Sequence, residues 1–299
     1  MPEEVQPGEV LGGYRLVEEL GAGSPSRVFK AAHARLGRLA AVKVLSSEFV
    51  TDASVRARMF TEAKVVNDIR HPNIVDISDF VEQDDPARVA LIMEYIPGPS
   101  LRRFRGAPLP YETAIAVSRQ LASALMAAHE HGVVHRALTP DNVLLMSDPR
   151  TSEAPVVVKV VDFGIAKVAG PQNQAQTAFG TLLGTPAYMA PEQVAGSPPP
   201  SSATDVYAQA EIVYELVTGD RLFSLQKTED TVRQKLRGEH PEVKLPSGFD
   251  SMRDILTRSL SARPEQRVPT AQFCALLDQS EPRRSSSLAP SGNIPGADT

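Results

Sequence analysis

Hydrophobic and polar positions alternate along the first third of the chain and change period after it. Four segments read as strands: Tyr14-Arg-Leu-Val-Glu-Glu-Leu20, Arg27-Val-Phe-Lys-Ala-Ala32, Leu39-Ala-Ala-Val-Lys-Val-Leu45 and Val89-Ala-Leu-Ile-Met-Glu-Tyr95. Between them Ser54 to Ile69 carries Val55, Met59, Ala63 and Val66 at helical spacing. Pro97-Gly98-Pro99-Ser100 breaks the pattern as a hinge or turn would. Beyond it the periodicity is helical. Tyr111 to His131 places Ile115, Leu121, Ala122, Leu125 and Ala128 on one stripe and stops at Gly132. Ala203 to Thr218 stops before Gly219, and Phe249 to Leu260 and Pro269 to Leu277 are shorter amphipathic stretches. The expectation is an α+β chain with a lead-in over 1–13, a small strand-rich lobe over 14–96, a mainly helical lobe over 97–278 and a disordered Ser/Pro/Arg-rich tail over 279–299.

Composition narrows the class. The chain has 299 residues, 42% hydrophobic and 22% charged, enough for two lobes around a cleft. Its net charge of −5 and lack of a basic run argue against nucleic acid as a partner. The apolar runs fall short of the ~18 residues that suggest a membrane span. A single cysteine, Cys274, and the absence of a signal-like start point to a cytoplasmic protein.

Candidate chemistry begins at Leu20-Gly-Ala-Gly-Ser-Pro-Ser-Arg-Val28. Gly21 and Gly23 would let the backbone approach a phosphate, although a Gly-rich hairpin is by itself more often only a turn, and Ser26 stands where a third glycine is expected. Lys43 follows in the middle of an apolar strand, where a charge needs a partner. Glu62 lies on the next helix, and His71-Pro-Asn-Ile-Val75 leads into further strands. Later come His135-Arg-Ala-Leu-Thr-Pro-Asp-Asn142, Val161-Asp162-Phe163-Gly164, Ala190-Pro-Glu192, Asp205-Val-Tyr207 and Arg267.

In that order and spacing, the chain from Tyr14 to Leu277 resembles the protein kinases, specifically the eukaryotic-like serine/threonine kinases of bacteria. The resemblance implies a bilobal fold, with a small antiparallel-sheet lobe and a larger helical lobe, and ATP and Mg²⁺ as ligands. Leu20, Gly21 and Gly23 would cover the phosphates, Lys43 would reach them and Glu62 would pair with Lys43. Asp162 and Asn142 would hold metal. Met93 would guard the back of the adenine pocket, Glu94 to Ile96 would offer backbone to the base, and Val28, Ala41 and Leu144 would sandwich it; each of these apolar residues could equally be ordinary core. Glu192 with Arg267, Asp205, and the stack of Val66, Phe163 and His135 would be architectural.

Two positions depart from the family pattern. Where the catalytic loop carries the aspartate that accepts the substrate hydroxyl's proton, this chain has Ala137, and Thr139 replaces the lysine that neutralises the transferring phosphoryl group. A positioned base contributes ~10²–10⁴ in rate, so a turnover of about 1–100 s⁻¹ would fall to about one per second or less. Asp141 is the one nearby carboxylate that could substitute weakly, and His135 is better explained as structural. Arg136, Thr177, Thr181 and Thr185 are candidate regulatory positions, the threonines as phosphate acceptors or loop contacts. The reading is a pseudokinase that binds ATP and acts on a protein partner, an active kinase or another signalling protein. The alternative is a slow serine/threonine kinase.

Overall fold

The computed structural model describes residues 4–23, 26–84, 86–163, 186–223 and 228–279. A six-stranded antiparallel sheet forms from β1 (Val10–Leu11), β2 (Tyr14–Gly23), β3 (Ser26–His33), β4 (Leu39–Leu45), β5 (Ile77–Asp84) and β6 (Ala87–Glu94) in the spatial order β1-β2-β3-β4-β6-β5. Two helices, α1 (Ser47–Val50) and α2 (Ala53–Ile69), sit between β4 and β5. Asp52 starts α2 by accepting from the Ser54 and Val55 amides at 2.8 and 3.2 Å, the ordinary N-cap arrangement.

Alternation along the central strands divides the sheet into two faces. Leu16, Phe29, Val42, Val44 and Ile92 pack on one face, joined by Val5 and Leu11. Residues of the polar lead-in therefore cover apolar surface, and Val10 and Leu11 pair with Arg15 and Tyr14. The other face carries Gly21 opposite Val28, Val28 opposite Lys43, and Ala41 opposite Met93. Sequence periodicity alone placed neither β1 nor β5. The first is two residues long, and β5 lies at the sheet's edge with mostly exposed polar side chains, so it lacks the apolar alternation that marks a strand.

The larger lobe contains α3 (Tyr111–Glu130), the short strands β7 (Val143–Leu145) and β8 (Val158–Val160), α4 (Pro191–Ala195), α5 (Ser202–Thr218), α6 (Thr228–Leu236), α7 (Arg253–Ser259) and α8 (Thr270–Gln279). Helix α5 runs through its centre, with every residue from Thr204 to Val217 buried. It ends at Gly219, whose φ of 80° suits glycine, and whose missing side chain leaves room for Pro108, 2.9 Å from where a Cβ would stand. The predicted helix over Phe249 to Leu260 divides into a 3-10 turn at Asp250–Met252 followed by α7.

Backbone pairing joins the two lobes. Val75 N donates to Val160 O at 3.0 Å, and Val160 N to Asn73 O at 2.8 Å. The Asn73 side chain bonds Val158 O and Gln120 Oε1 at 2.9 and 2.8 Å. At the Pro97–Ser100 break, a Cβ on Gly98 would come within 2.1 Å of Leu145 O, so only glycine lets the linker lie this close to β7. Among the described residues no helix is long and apolar enough to cross a membrane.

Candidate functional site

The catalytic-loop segment is built around one buried carboxylate. Asp205, in the first turn of α5, accepts from His135 N at 2.7 Å through Oδ2 and from Arg136 N at 2.8 Å through Oδ1. His129 of α3 reaches the same Oδ2 at 2.8 Å, and its other ring nitrogen contacts Thr270 Oγ1 at 2.8 Å. These bonds hold Arg136 in the left-handed region, φ 64°, which a side chain other than glycine seldom enters. The Arg136 carbonyl accepts from Gln193 Nε2 at 2.6 Å, which ties α4 to the loop.

His135 is fully buried, with its ring 4.7 Å from that of Phe163. Nε2 faces the Val161 carbonyl at 3.0 Å and Nδ1 faces the Ala137 amide at 3.3 Å. A carbonyl can only accept and an amide only donate, so the network selects the neutral ring with its proton on Nε2. Burial holds its pKa below the ordinary value, against the opposing pull of Asp205 and the Val161 carbonyl. Both ring nitrogens are committed, and neither can take a proton from a substrate.

Ala137 and Thr139 are half-buried beside this frame. The Ala137 carbonyl accepts from Asn142 Nδ2 at 2.9 Å, and the Thr139 carbonyl from Asn142 N at 3.0 Å. The Thr139 side chain makes no capping bond to the 3-10 turn that follows it. Asp141 points to Arg102 at 3.2 Å in an exposed pair. A small cavity opens beside these residues, lined among others by Arg136, Ala137, Thr139, Tyr188, Met189 and Gln193. The Arg136 guanidinium is exposed and makes no ion pair with a described residue.

Across the cleft, Lys43 Nζ lies 2.7 Å from Asp162 Oδ1; the lysine side chain is 7% exposed and the aspartate 34%. Lys43 comes from β4 in the small lobe and Asp162 lies two residues beyond β8 in the large one, so the pair bridges the lobes. Asp162 too is left-handed, at φ 58°. Val161 N bonds Asn142 O at 2.9 Å, which sets Asn142 next to the Asp162 segment. A Cβ on Gly21 would meet no described residue within 4 Å, so packing among the described residues does not call for glycine there. Leu20 is half exposed at the lip of the same strand.

Met93 and Ile96 are buried, and Val28 and Ala41 are half-buried on the cleft-facing side of the sheet. Leu144 is half-buried beneath them, paired with Ser100 and Lys159. Glu94 meets Lys159 of β8 at 2.7 Å, a second bridge between the lobes. Val66 lies buried in α2. Glu192 and Arg267 form a bidentate pair at 2.8 and 2.6 Å, both side chains almost wholly buried. Burial pushes the Glu192 carboxyl upward, but Arg267 and Thr204 outweigh it and hold the pKa low. Thr177, Thr181 and Thr185 lie outside the described residues, as does the Glu62 side chain.

Sequence reasoning missed His129, Thr270, Gln120, Lys159 and Arg102. Each meets its partner across a long stretch of chain, and no local motif marks it.

The protein kinase domain profile matches residues 14–276. The chain is 39% identical over 262 residues to the serine/threonine-protein kinase Pkn1 of Myxococcus xanthus, covering 87% of this chain and 37% of that one. It spans between about a third and a half of the length of the curated relatives it matches. In fold it is similar to the kinase domain of Mycobacterium tuberculosis PknI, with a TM-score of 0.66, 24% identity and coverage of 93% of this chain and 100% of that one. It is similar also to Rad53 in complex with AMP-PNP, with a TM-score of 0.69, 27% identity and coverage of 88% and 64%. Sequence and fold agree, and the chain belongs to the protein kinase domain family, with bacterial serine/threonine kinases among its relatives.

Proposed function

We propose that the chain is a nucleotide-binding pseudokinase that acts as a regulatory binding module on a protein partner. One observation carries this reading: the loop around Ala137 is fully braced by Asp205 and Asn142, yet the side chain at its centre is a methyl group. Such a group neither accepts a proton nor orients a hydroxyl. The neighbouring candidates are already engaged, His135 by Val161 and Ala137, and Asp141 by Arg102.

The nucleotide-facing residues support the binding half of the proposal. Lys43 offers an ammonium to phosphate, and the open space above Gly21 leaves room for phosphates to approach the backbone. Among the described residues no cluster of three or more His, Cys, Asp or Glu could hold an ion. Mg²⁺ does not need one, since it is ordinarily held by one or two protein oxygens together with substrate phosphates. The Asp162 carboxylate and the Asn142 amide oxygen are hard donors of that kind, and a bound Mg²⁺ would neutralise phosphate charge there. Val28, Ala41, Met93 and Leu144 would enclose the base, with the Glu94–Ile96 backbone at its edge. Arg136, exposed at the rim of the cavity, would read a phosphate on the activation segment bidentately.

Thermal unfolding with and without Mg·ATP tests the binding half. At a hundredfold excess over Kd, a ligand specific to the folded state stabilises it by about 2.7 kcal/mol, on the order of 5 °C in Tm for a chain of this size. The parent should show that shift and Lys43→Met should lose it. No shift in the parent at millimolar Mg·ATP contradicts the proposal.

A further inference from the structure

Helix α6 carries one of the most deeply buried cations among the described residues. The Lys235 side chain is 0% exposed. Its ammonium has three donors, and three acceptors meet it: Ala187 O at 2.6 Å, Met189 O at 2.8 Å and Glu211 Oε1 of α5 at 3.3 Å. The rings of Phe223 and Tyr207 lie 4.4 and 4.8 Å from Nζ, close enough for cation–π attraction. Burial lowers the pKa of the lysine and raises that of Glu211, as loss of hydration requires. A charge buried this deeply is costly, and only a complete set of partners offsets the cost.

The two carbonyls belong to a segment with little structure of its own. Among the described residues the 186–190 turn has one backbone bond of its own, Met189 N to Pro186 O at 3.3 Å. Ala190 is tied to α4 through its amide and carbonyl, and the Tyr188 hydroxyl is held by Glu215 and Arg105, so the Ala187 and Met189 carbonyls are left to Lys235. Ala187, Tyr188 and Ala190 are buried, so without Lys235 the Ala187 and Met189 carbonyls would lose their charged donor in a dry environment. Tyr188 and Met189 also form one wall of the cavity whose other side is Ala137 and Thr139.

We propose that Lys235 is a positioning residue: its buried ammonium fastens the 186–190 turn to α6 and α5 and thereby sets the wall of the cavity beside Ala137 and Thr139. The role is independent of whether the chain binds nucleotide or transfers phosphate. Helix α6 becomes a lever on that wall through the Ala187 and Met189 carbonyls, while Glu215 and Arg105 hold the Tyr188 hydroxyl.

Amide hydrogen exchange on the full chain tests this without any activity. In Lys235→Met, exchange of residues 186–195 should quicken at least tenfold while α3 and the β3–β4 hairpin keep the parent rates. Lys235→Met/Glu211→Gln removes the carboxylate that the single change leaves unpaired, and should show the same local opening with smaller loss of global stability. Parent rates over 186–195 in either variant would overturn the proposal. So would general acceleration across α3, α5 and the sheet, which marks a merely structural lysine. A measurement on the parent alone covers the case in which neither variant folds. Under increasing sub-denaturing guanidinium, 186–190 and 228–236 should open as one unit with a common denaturant dependence. Separate dependences would overturn it.

Discussion

Lys43 and Asp162 face each other at 2.7 Å on one side of the cleft floor, while a methyl and an uncharged hydroxyl, those of Ala137 and Thr139, occupy the other. The two sides lie on one continuous frame. Asp205 holds the loop by main-chain amides, Asn142 holds it by the Ala137 carbonyl, and Gln193 holds it by the Arg136 carbonyl. None of these bonds uses the side chain at 137 or 139. The loop can therefore lose its proton acceptor and its cation without losing its shape, and the framework and the chemistry of the site are separable.

Breaking the framework should cost most. Arg267→Leu strips Glu192 of both guanidinium bonds and leaves the Ala203, Ser261 and Ala262 carbonyls without their donor. Loss of one partner of a buried pair costs about 3–5 kcal/mol, to be read from denaturant unfolding followed by circular dichroism. A loss below about 1 kcal/mol would mean that this brace is not part of the stable frame.

A smaller effect should appear with pH. His135 is neutral in the fold because burial lowers its pKa from 6.5, so below that pH the unfolded chain takes up a proton that the folded chain refuses. The His135 contribution should be level above pH 6.5 and fall as pH decreases toward 5, by up to about 1.4 kcal/mol per pH unit for this one proton. His71, whose pKa is lowered by burial and by the charge of Lys159, acts in the same direction. In His135→Gln the slope should flatten toward the remainder due to His71. An unchanged slope in that variant would show that His135 is not the buried neutral group that the bonding to Val161 and Ala137 implies.

Much of this was legible in the sequence, for stated reasons. Alternation along Arg27–Ala32 and Leu39–Leu45 marked both as strands, because burial on a pleated surface leaves a period of two. Ala137 and Thr139 were visible because they fall inside a linear motif whose other members are present. Lys235 was not. It sits on a helix where only Thr231, Val232 and Lys235 are buried, and in sequence it reads as one more solvated charge. Its partners lie 48, 46 and 24 residues away, so only the tertiary fold reveals them. His129 escaped for the same reason: a histidine near the end of an amphipathic helix gives no sign of the carboxylate 76 residues on that it meets.

The most direct test of the account is phosphate transfer from labelled ATP to a protein substrate, measured for the parent and for Ala137→Asp/Thr139→Lys. The account predicts no transfer above background in the parent. In the double variant it predicts a gain of roughly 10²-fold or more, the low end of what a positioned base contributes, abolished by adding Asp162→Asn. Robust transfer by the parent, lost in Asp162→Asn, would contradict it.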